Sequence, residues 1–204
     1  MNERTLTPGN LDACEDPFTL FSRWFEDART HEVNDPDAMS LATVDDDGLP
    51  DVRIVLCKGV EPEGLVFYTN VESAKGRQIE RHPKAAALFH WKSLRRQARF
   101  RGEVRLIDEA AADAYFHSRH PQSQIGAWAS HQSRPLESRA ALERRVADYE
   151  AKFGSGGIPR PPYWRGFHLT PSEIELWADG AFRLHDRVLF TRAASGWARQ
   201  RLFP

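Results

Sequence analysis

The sequence predicts a mainly β domain with peripheral helices, in which antiparallel strands form a barrel-like sheet. Three observations carry this prediction. Apolar and polar residues alternate over many short segments, turn residues such as those at 45–48 separate these segments, and only a few stretches show helical spacing. Many strands joined by short turns are typical of antiparallel sheets, so the helices are expected to lie around the barrel.

Length and composition favour one domain. The chain has 204 residues, 41% of them hydrophobic, which is enough for a sizeable core. We expect residues 1–15 to form a flexible N-terminal segment and residues 16–204 to form a single domain. The 28 lysines and arginines nearly balance the 29 aspartates and glutamates. The chain therefore lacks the overall basic charge that is typical of nucleic-acid-binding proteins. The basic clusters are therefore local features that suit small anions.

Several classes of protein are not indicated. Only Cys14 and Cys57 occur, the first residues lack the apolar run of a signal peptide, and no window reaches the length of a membrane span. We therefore expect a cytoplasmic protein without a membrane partner. The eight histidines show no ligand spacing with an acidic partner, so we expect no metal site.

The first half of the chain contains two predicted helices and five predicted strands. Asp16 and Pro17 open an amphipathic helix that ends near His31, and Ser73 caps a short helix that stops at His82. The strands form a meander whose members alternate apolar and polar residues. They are expected at residues 39–44, 52–58, 65–69, 85–91 and 97–106.

The second half begins with helices and returns to strands. Helical spacing covers residues 108–118, 123–129 and 137–153, and a loop rich in glycine and proline follows. The remaining strands are expected at 166–169 and 173–177, followed by a hairpin of 183–192 with 197–202.

The pentad Arg183-Leu184-His185-Asp186-Arg187 is the most informative candidate site. Alternate residues of an extended strand share a face, so Arg183, His185 and Arg187 are expected to project together. Such a row is costly without an anion because its positive charges repel one another. The alternative is an edge strand whose charges lie in water. Trp177, just before the pentad, is suited either to packing on a planar ring or to filling the core.

Three further segments carry donors suited to anions. Arg53 and Lys58 bracket an apolar strand segment. Because their spacing is odd, they are expected on opposite faces of the strand unless a bulge realigns them. The alternative interpretation is one solvated cation at each end of the strand. Tyr68-Thr69-Asn70 leads into a helix start that carries Lys75, where free amide groups favour a phosphate, although simple capping explains Ser73 equally well. The third segment groups phosphate-binding donors around Pro121: Tyr115, Arg119, Ser123, Gln132 and Ser133.

Together these segments resemble the pyridoxine (pyridoxamine) 5′-phosphate oxidase family over residues 16–204. The motifs that carry the resemblance occur in the family's order: Arg53 to Lys58, Phe67-Tyr68-Thr69-Asn70, Tyr115-Phe116-His117-Ser118-Arg119, Ser123-Gln124-Ile125-Gly126-Ala127-Trp128, and the pentad. The resemblance implies an FMN-binding split β-barrel that works as a homodimer with FMN at the subunit interface. It also implies oxidation of pyridoxine 5′-phosphate and pyridoxamine 5′-phosphate to pyridoxal 5′-phosphate, with O2 reduced to H2O2.

The resemblance also assigns residues. The implied FMN contacts are Arg53, Ile54, Val55, Leu56, Cys57, Lys58, Tyr68, Thr69, Lys75, Gln97, Gln132, Ser133, Trp177 and Arg187. The implied substrate contacts are Lys58, Tyr115, Arg119, Ser123, Arg183 and His185, of which Arg183 and His185 are the catalytic pair. Ala74 stands where the family commonly has an arginine, which leaves Arg53 and Lys75 to supply more of the charge for the flavin phosphate.

By the family's mechanism, C4′ of the substrate loses a hydride to flavin N5, so no nucleophilic residue is expected. Positive charge beside His185 would favour its neutral form, which can accept or relay a proton. Three alternatives remain open. They are a related FMN oxidase acting on another aromatic substrate, as in phenazine-forming relatives; a non-catalytic protein that binds FMN or pyridoxal phosphate; and an RNA-binding strand at residues 95–101.

Overall fold

The structure is a computed structural model that describes residue 11 and residues 14–154 and 156–204. These residues form five α-helices and eight β-strands. The helices are α1 (Pro17–His31), α2 (Ala74–Arg81), α3 (Glu109–Ser118), α4 (Pro121–Ala129) and α5 (Arg139–Phe153). The strands are β1 (Ala38–Val44), β2 (Pro50–Glu61), β3 (Gly64–Asn70), β4 (Lys84–Trp91), β5 (Arg96–Leu106), β6 (Trp164–Ala178), β7 (Asp186–Arg192) and β8 (Trp197–Arg201).

The strands form one antiparallel sheet in the order β3-β2-β1-β4-β5-β6-β7-β8. β3 also pairs with β6, so the first six strands close a barrel, and β7 and β8 extend the sheet beyond it. Closure leaves β1 to β6 without a free edge, because each of them has a neighbour on both sides. The predicted meander and the predicted mainly β fold with peripheral helices are confirmed.

Helix α1 packs its aromatic face on the barrel. Asp16 begins the helix, and its carboxylate accepts hydrogen bonds from the backbone N–H groups of Phe18 and Thr19, as the sequence predicts. Phe21 is fully buried, with its ring centroid 4.7 Å from Phe100 and 5.2 Å from Phe89. Most of the buried residues among those described are apolar. The core therefore lies between this helix and the strands.

The strand pattern around residue 171 differs from the prediction. Two short strands at 166–169 and 173–177 were expected, whereas β6 runs without a break over 15 residues. A register shift against β5 accommodates Pro171: Gly102 pairs with Pro171 and Arg101 with Glu173, which leaves Ser172 as the extra residue of a bulge. A proline lacks the ladder N–H and is tolerated at bulges, so it does not interrupt this strand.

Two other predictions concern the chain's ends. The final hairpin was expected to start at Arg183, but β7 starts at Asp186, and residues 181–183 form a tight turn in which Phe182 and Arg183 have left-handed backbone conformations. The predicted flexible segment over residues 1–15 falls mostly on residues 1–10, 12 and 13, which lie outside the described part of the chain. Leu11 and Cys14 are described, and both are buried.

None of the described helices is long and apolar enough to cross a membrane.

Candidate active site

The first group of candidate residues gathers where β2, β3 and α2 meet. We call it the cationic cluster: Arg53, Thr69, Lys75 and Gln132. Lys75 Nζ donates to Gln132 Oε1 at 2.9 Å, and Thr69 Oγ1 donates to the same oxygen at 3.3 Å. Arg53 approaches from β2 and donates to Thr43 Oγ1 at 2.6 Å. The predicted FMN residues Arg53, Thr69, Lys75 and Gln132 thus come together from four separate segments.

Lys75 is the electrostatic centre of this cluster. Only 8% of the residue is exposed, and burial, together with the positive charge of Arg53, lowers the pKa of its ammonium group. Among the described residues Lys75 forms no ion pair; its hydrogen bond goes to a neutral amide. A buried cation without a direct ion-pair partner is costly, and a phosphate would supply both the charge and the acceptors. The donor set therefore fits the phosphate of a flavin mononucleotide.

Local structure explains how α2 delivers Lys75. Ser73 caps the helix by accepting a hydrogen bond from the Gly76 N–H at 3.3 Å. A Cβ at Gly76 would lie 2.3 Å from the Val71 carbonyl oxygen, so the tight turn into the helix requires glycine. The capping interpretation of Ser73 is therefore correct, and capping also fixes Lys75 in the first helical turn. Ser133 follows Gln132 with a left-handed φ of 66° and is exposed.

The segment from Arg53 to Lys58 alternates in burial as the sequence predicts. Arg53, Val55 and Cys57 are at least half-buried, whereas Ile54 and Leu56 are 63% and 39% exposed. The register of β2 against β3 shifts between Cys57 and Gly59, which leaves Lys58 as the extra residue of a bulge. The alternation of burial nevertheless continues through Lys58, which is exposed. Burial raises the pKa of Cys57 to about 12, which keeps its thiol protonated and unreactive.

Lys58 has an ion-pair partner outside the group of candidate substrate residues. Its ammonium group donates to Asp37 Oδ2 at 2.6 Å on the exposed side of β2. Within the described ranges, no hydrogen bond or ion pair joins it to Tyr115, Arg119 or Ser123. The structure therefore gives Lys58 a carboxylate partner that the sequence did not indicate.

A second group, which we call the aromatic platform, contains Tyr68, Tyr115, Trp164 and Arg119. The Tyr68 ring stacks on Tyr115 with centroids 4.1 Å apart and on Trp164 at 5.1 Å. The Arg119 guanidinium lies 5.0 Å from the Trp164 ring centroid. Among the residues that the structure describes, Arg119 Nη1 is buried without a hydrogen-bond partner, and burial lowers the pKa of the group.

This unsatisfied guanidinium indicates an anion site beside stacked rings. A buried donor without a partner costs about 1–3 kcal/mol, and more when it is charged. A phosphate oxygen would satisfy Arg119, and Ser123 is exposed at the start of the neighbouring α4. Trp164 was not predicted to belong to this site. A single tryptophan at a strand start gives no signal in the sequence that separates core filling from such a platform.

A third group lies on the outer face of the barrel. Gln97 of β5 pairs with Trp177 of β6, which pairs with Arg187 of β7, and these residues line one cavity of about 300 Å³. Arg187 Nε donates to Glu175 Oε1 at 2.8 Å, and Arg187 Nη1 donates to the Phe203 carbonyl oxygen at 2.9 Å. We call this group the outer-face groove. It contains three more of the predicted FMN residues, Gln97, Trp177 and Arg187.

The pentad does not form the predicted row of side chains. Phe182 and Arg183 have left-handed φ angles of 55° and 69°, and Arg183 is exposed in the turn before β7. The chain reverses so tightly that a Cβ at Gly180 would lie 1.9 Å from the Leu184 carbonyl oxygen. The prediction that Arg183, His185 and Arg187 share a strand face is therefore wrong. His185 instead lies beside Trp177, with ring centroids 4.6 Å apart.

One chain does not bring the two sets of predicted flavin residues together. Arg53 lies on β2 and Gln97 on β5, and β1 and β4 lie between these strands in the sheet. Three strand spacings amount to about 14 Å. Arg53 is also on the half-buried side of its strand, whereas Gln97 belongs to the outer-face groove. The cationic cluster and the groove are therefore separate surfaces of the protomer.

Comparison with solved structures defines the class of protein. A structure of PhzG from Burkholderia lata 383, in complex with tetrahydrophenazine-1-carboxylic acid, matches with a TM-score of 0.89 and 32% identity over 95% of each chain. A pyridoxamine 5′-phosphate oxidase-related, FMN-binding protein from Nostoc punctiforme has a TM-score of 0.71 at 22% identity, covering 91% of this chain and 96% of its own. The chain is thus a split β-barrel of the FMN-binding type.

Sequence comparisons identify the family. The family model for pyridoxamine 5′-phosphate oxidase matches residues 25–153, and that for the pyridoxine 5′-phosphate oxidase C-terminal dimerisation region matches residues 164–204. The pyridoxine/pyridoxamine 5′-phosphate oxidase of Caulobacter vibrioides is 58% identical, covering 98% of this chain and 90% of that protein. The corresponding protein of Azorhizobium caulinodans is 57% identical, covering 99% and 96%. The chain belongs to the pyridoxine/pyridoxamine 5′-phosphate oxidase family.

Proposed function

We propose that the protein oxidises pyridoxine 5′-phosphate and pyridoxamine 5′-phosphate to pyridoxal 5′-phosphate. FMN, when bound, would take the hydride from C4′ and pass the electrons to O2, giving H2O2. The alcohol loses one hydride and one proton to become the aldehyde; the amine additionally consumes water and releases ammonia. The observation that carries the proposal is the buried Nη1 of Arg119, which has no hydrogen-bond partner among the described residues and lies beside the stacked rings of the aromatic platform. It is suited to a phosphorylated aromatic substrate.

The chain's own residues would bind and orient both molecules. Arg119, Tyr115, Ser123 and Lys58 would hold the substrate's 5′-phosphate, and Lys58 would have to exchange its contact with Asp37 for the phosphate. Arg183 and His185 would face the pyridine ring and its C4′ substituent. Such positioning removes much of the entropic barrier to hydride transfer, so it is the main catalytic contribution of the protein.

FMN would lie between two subunits of a homodimer. The cationic cluster of one protomer would hold the flavin phosphate, and the outer-face groove of its partner would contact the rest of the cofactor. Two observations support this arrangement: the two groups are separate in one chain, and residues 164–204 match a dimerisation region. The groove residues Trp177 and Arg187 belong to that region.

A direct assay tests the function. The FMN-loaded protein is incubated in air with each phosphorylated substrate, and pyridoxal 5′-phosphate and H2O2 are measured. Both products are expected with at least one of the two substrates. Binding of FMN without either product would instead favour a non-catalytic binding protein. A protein that takes up no added FMN would exclude every flavin-dependent function.

Substitution of Arg119 tests phosphate recognition. Arg119→Met is expected to raise KM for pyridoxine 5′-phosphate at least about tenfold, because a charged hydrogen bond contributes about 1.5–3 kcal/mol. Arg105→Met is the control, since the Arg105 side chain is 75% exposed and paired with Glu103. Equal KM values for the two variants would contradict the role of Arg119.

Unchanged turnover after both Arg183→Ala and His185→Ala would likewise contradict the proposed catalytic pair.

A further inference from the structure

Gln124 is a buried polar side chain that the function proposed above does not use. It lies in the first turn of α4, directly after Ser123, and only 7% of the residue is exposed. Its Nε2 donates to the Arg119 carbonyl oxygen at 2.8 Å and to the His117 carbonyl oxygen at 3.4 Å. Carbonyl oxygens only accept, so the amide has to present its nitrogen to both of them. One side chain therefore ties α4 to the end of α3.

The end of α3 needs such a donor, because the last carbonyl groups of a helix have no partner within it. Ser118 Oγ donates to the Tyr115 carbonyl oxygen at 2.8 Å, and the Arg119 N–H donates to the Phe116 carbonyl oxygen at 3.2 Å. Arg119 itself is extended, with φ −75° and ψ 153°, so its own carbonyl group points out of the helix. Gln124 supplies the donor for this carbonyl group and thereby fixes the Arg119 backbone.

Arg119 depends on this support because its side chain is held away from water. The guanidinium lies 5.0 Å from the Trp164 ring centroid and 5.6 Å from that of Phe116. Its Nη1 is buried and has no hydrogen-bond partner in the described part of the chain. A charged donor in this position would gain hydrogen bonds by swinging out into solvent. The two rings hold the guanidinium, and Gln124 holds the backbone from which it extends.

We propose that Gln124 is a positioning residue for phosphate recognition, which holds Arg119 in a fixed position relative to Ser123 before the substrate binds. This inference rests on the proposed function, in which Arg119 and Ser123 hold the substrate's 5′-phosphate. Gln124 follows Ser123 in the chain and binds the Arg119 carbonyl group, so the two phosphate donors stay together while that hydrogen bond persists. Such preorganisation raises affinity, because the arginine is ordered on folding and not on binding.

A double-mutant cycle with Arg119 tests the positioning role without reference to turnover. The probe is 4-deoxypyridoxine 5′-phosphate, whose C4′ is a methyl group, and equilibrium dialysis measures its Kd for the FMN-loaded protein. Gln124→Met is expected to raise this Kd at least about fivefold. In the Arg119→Met background the same substitution is expected to change the Kd less than about twofold, because no guanidinium is left to position. Equal increases in both backgrounds would overturn the inference.

Gln122→Met is the matched control, because Gln122 lies on the same helix but its amide donates to Glu150 of α5. Its Kd for the probe is expected to stay within about twofold of the wild-type value. An increase as large as that of Gln124→Met would contradict a specific role for Gln124.

Gln124→Glu is a second test, since it keeps the length of the side chain and loses the donor. It is expected to raise the Kd for the probe as Gln124→Met does, while both variants still bind FMN. Loss of FMN binding in both variants would overturn the inference, because Gln124 would then support the whole fold and not the phosphate site alone.

Steady-state kinetics separate binding from chemistry. Gln124→Met is expected to raise KM for pyridoxine 5′-phosphate at least about fivefold while kcat changes less than about twofold, because Gln124 acts only on binding. A lower kcat with an unchanged KM would contradict the inference. If the wild type binds the probe but oxidises neither substrate, the proposed function is wrong and the cycle still decides the role of Gln124. Turnover without coupling between Gln124 and Arg119 would show the reverse, so the two failures are distinguishable.

Discussion

Lys75 shows how a single residue can be unfavourable for folding and useful for binding. Its burial and the nearby Arg53 lower the pKa of its ammonium group, so the charged form is less stable in the folded protein than in the unfolded chain. The penalty is fully present below the folded-state pKa and is relieved as the pH rises toward the ordinary value of 10.5. A bound phosphate would offset it.

Lys75→Met is therefore expected to have opposite effects on FMN binding and on folding. FMN affinity should fall about 10- to 100-fold, since one charged hydrogen bond to phosphate is lost. The free energy of unfolding of the FMN-free protein should rise at pH 7, and this gain should shrink as the pH approaches 10. Fluorescence titration with FMN and urea denaturation measure the two quantities. The exposed Lys92→Met is the control, and an equal loss of FMN affinity there would contradict the role of Lys75.

At the scale of the element, helix caps differ in ways that can be measured. Asp16 caps α1 with side-chain hydrogen bonds, whereas Asp108 precedes α3 without one. Asp16→Ala is expected to lower the free energy of unfolding by about 1 kcal/mol, and Asp108→Ala by less than half of that. Chemical denaturation measures both. Equal losses would show that the Asp16 hydrogen bonds do not stabilise α1.

Element boundaries were predictable wherever local chemistry decides them. The caps of α1 and α2 and the alternating strands of the meander are local features, and the structure confirms them. The continuity of β6 was not predictable, because the bulge that accommodates Pro171 depends on Gly102 in a different strand. The turn at residues 181–183 was missed because Phe182 and Arg183 adopt left-handed backbone conformations that these residue types rarely indicate.

At the scale of the whole molecule, the exposed apolar face of β2 is suited to a subunit interface. Val52 and Ile54 are 64% and 63% exposed on this strand. Val52→Glu is expected to shift the protein from dimer toward monomer in sedimentation analysis, because a charge there would be buried without a partner. Leu49→Glu is the control, since Leu49 is equally exposed, at 66%, but lies in the turn before β2. Dissociation in both variants, or in neither, would contradict an interface on this face.

Cofactor binding should also stabilise the assembly. A ligand at 100 times its Kd stabilises the native state by about 2.7 kcal/mol, so the FMN-loaded protein is expected to melt about 5–10 °C above the FMN-free protein. Differential scanning calorimetry at fixed protein concentration measures the shift. An unchanged Tm at saturating FMN would indicate that the cationic residues are stable without their anion.

The sequence by itself determined the fold class, the order of most elements and the family, because periodicity, caps and short motifs are local properties of the chain. Only the tertiary structure decided how the candidate residues group. It joined Lys75 to Gln132, placed Trp164 beneath Arg119, separated the outer-face groove from the cationic cluster, and tied Gln124 to the Arg119 backbone. These relations depend on sheet closure and chain reversal, which bring together residues whose spacing along the chain carries no signal.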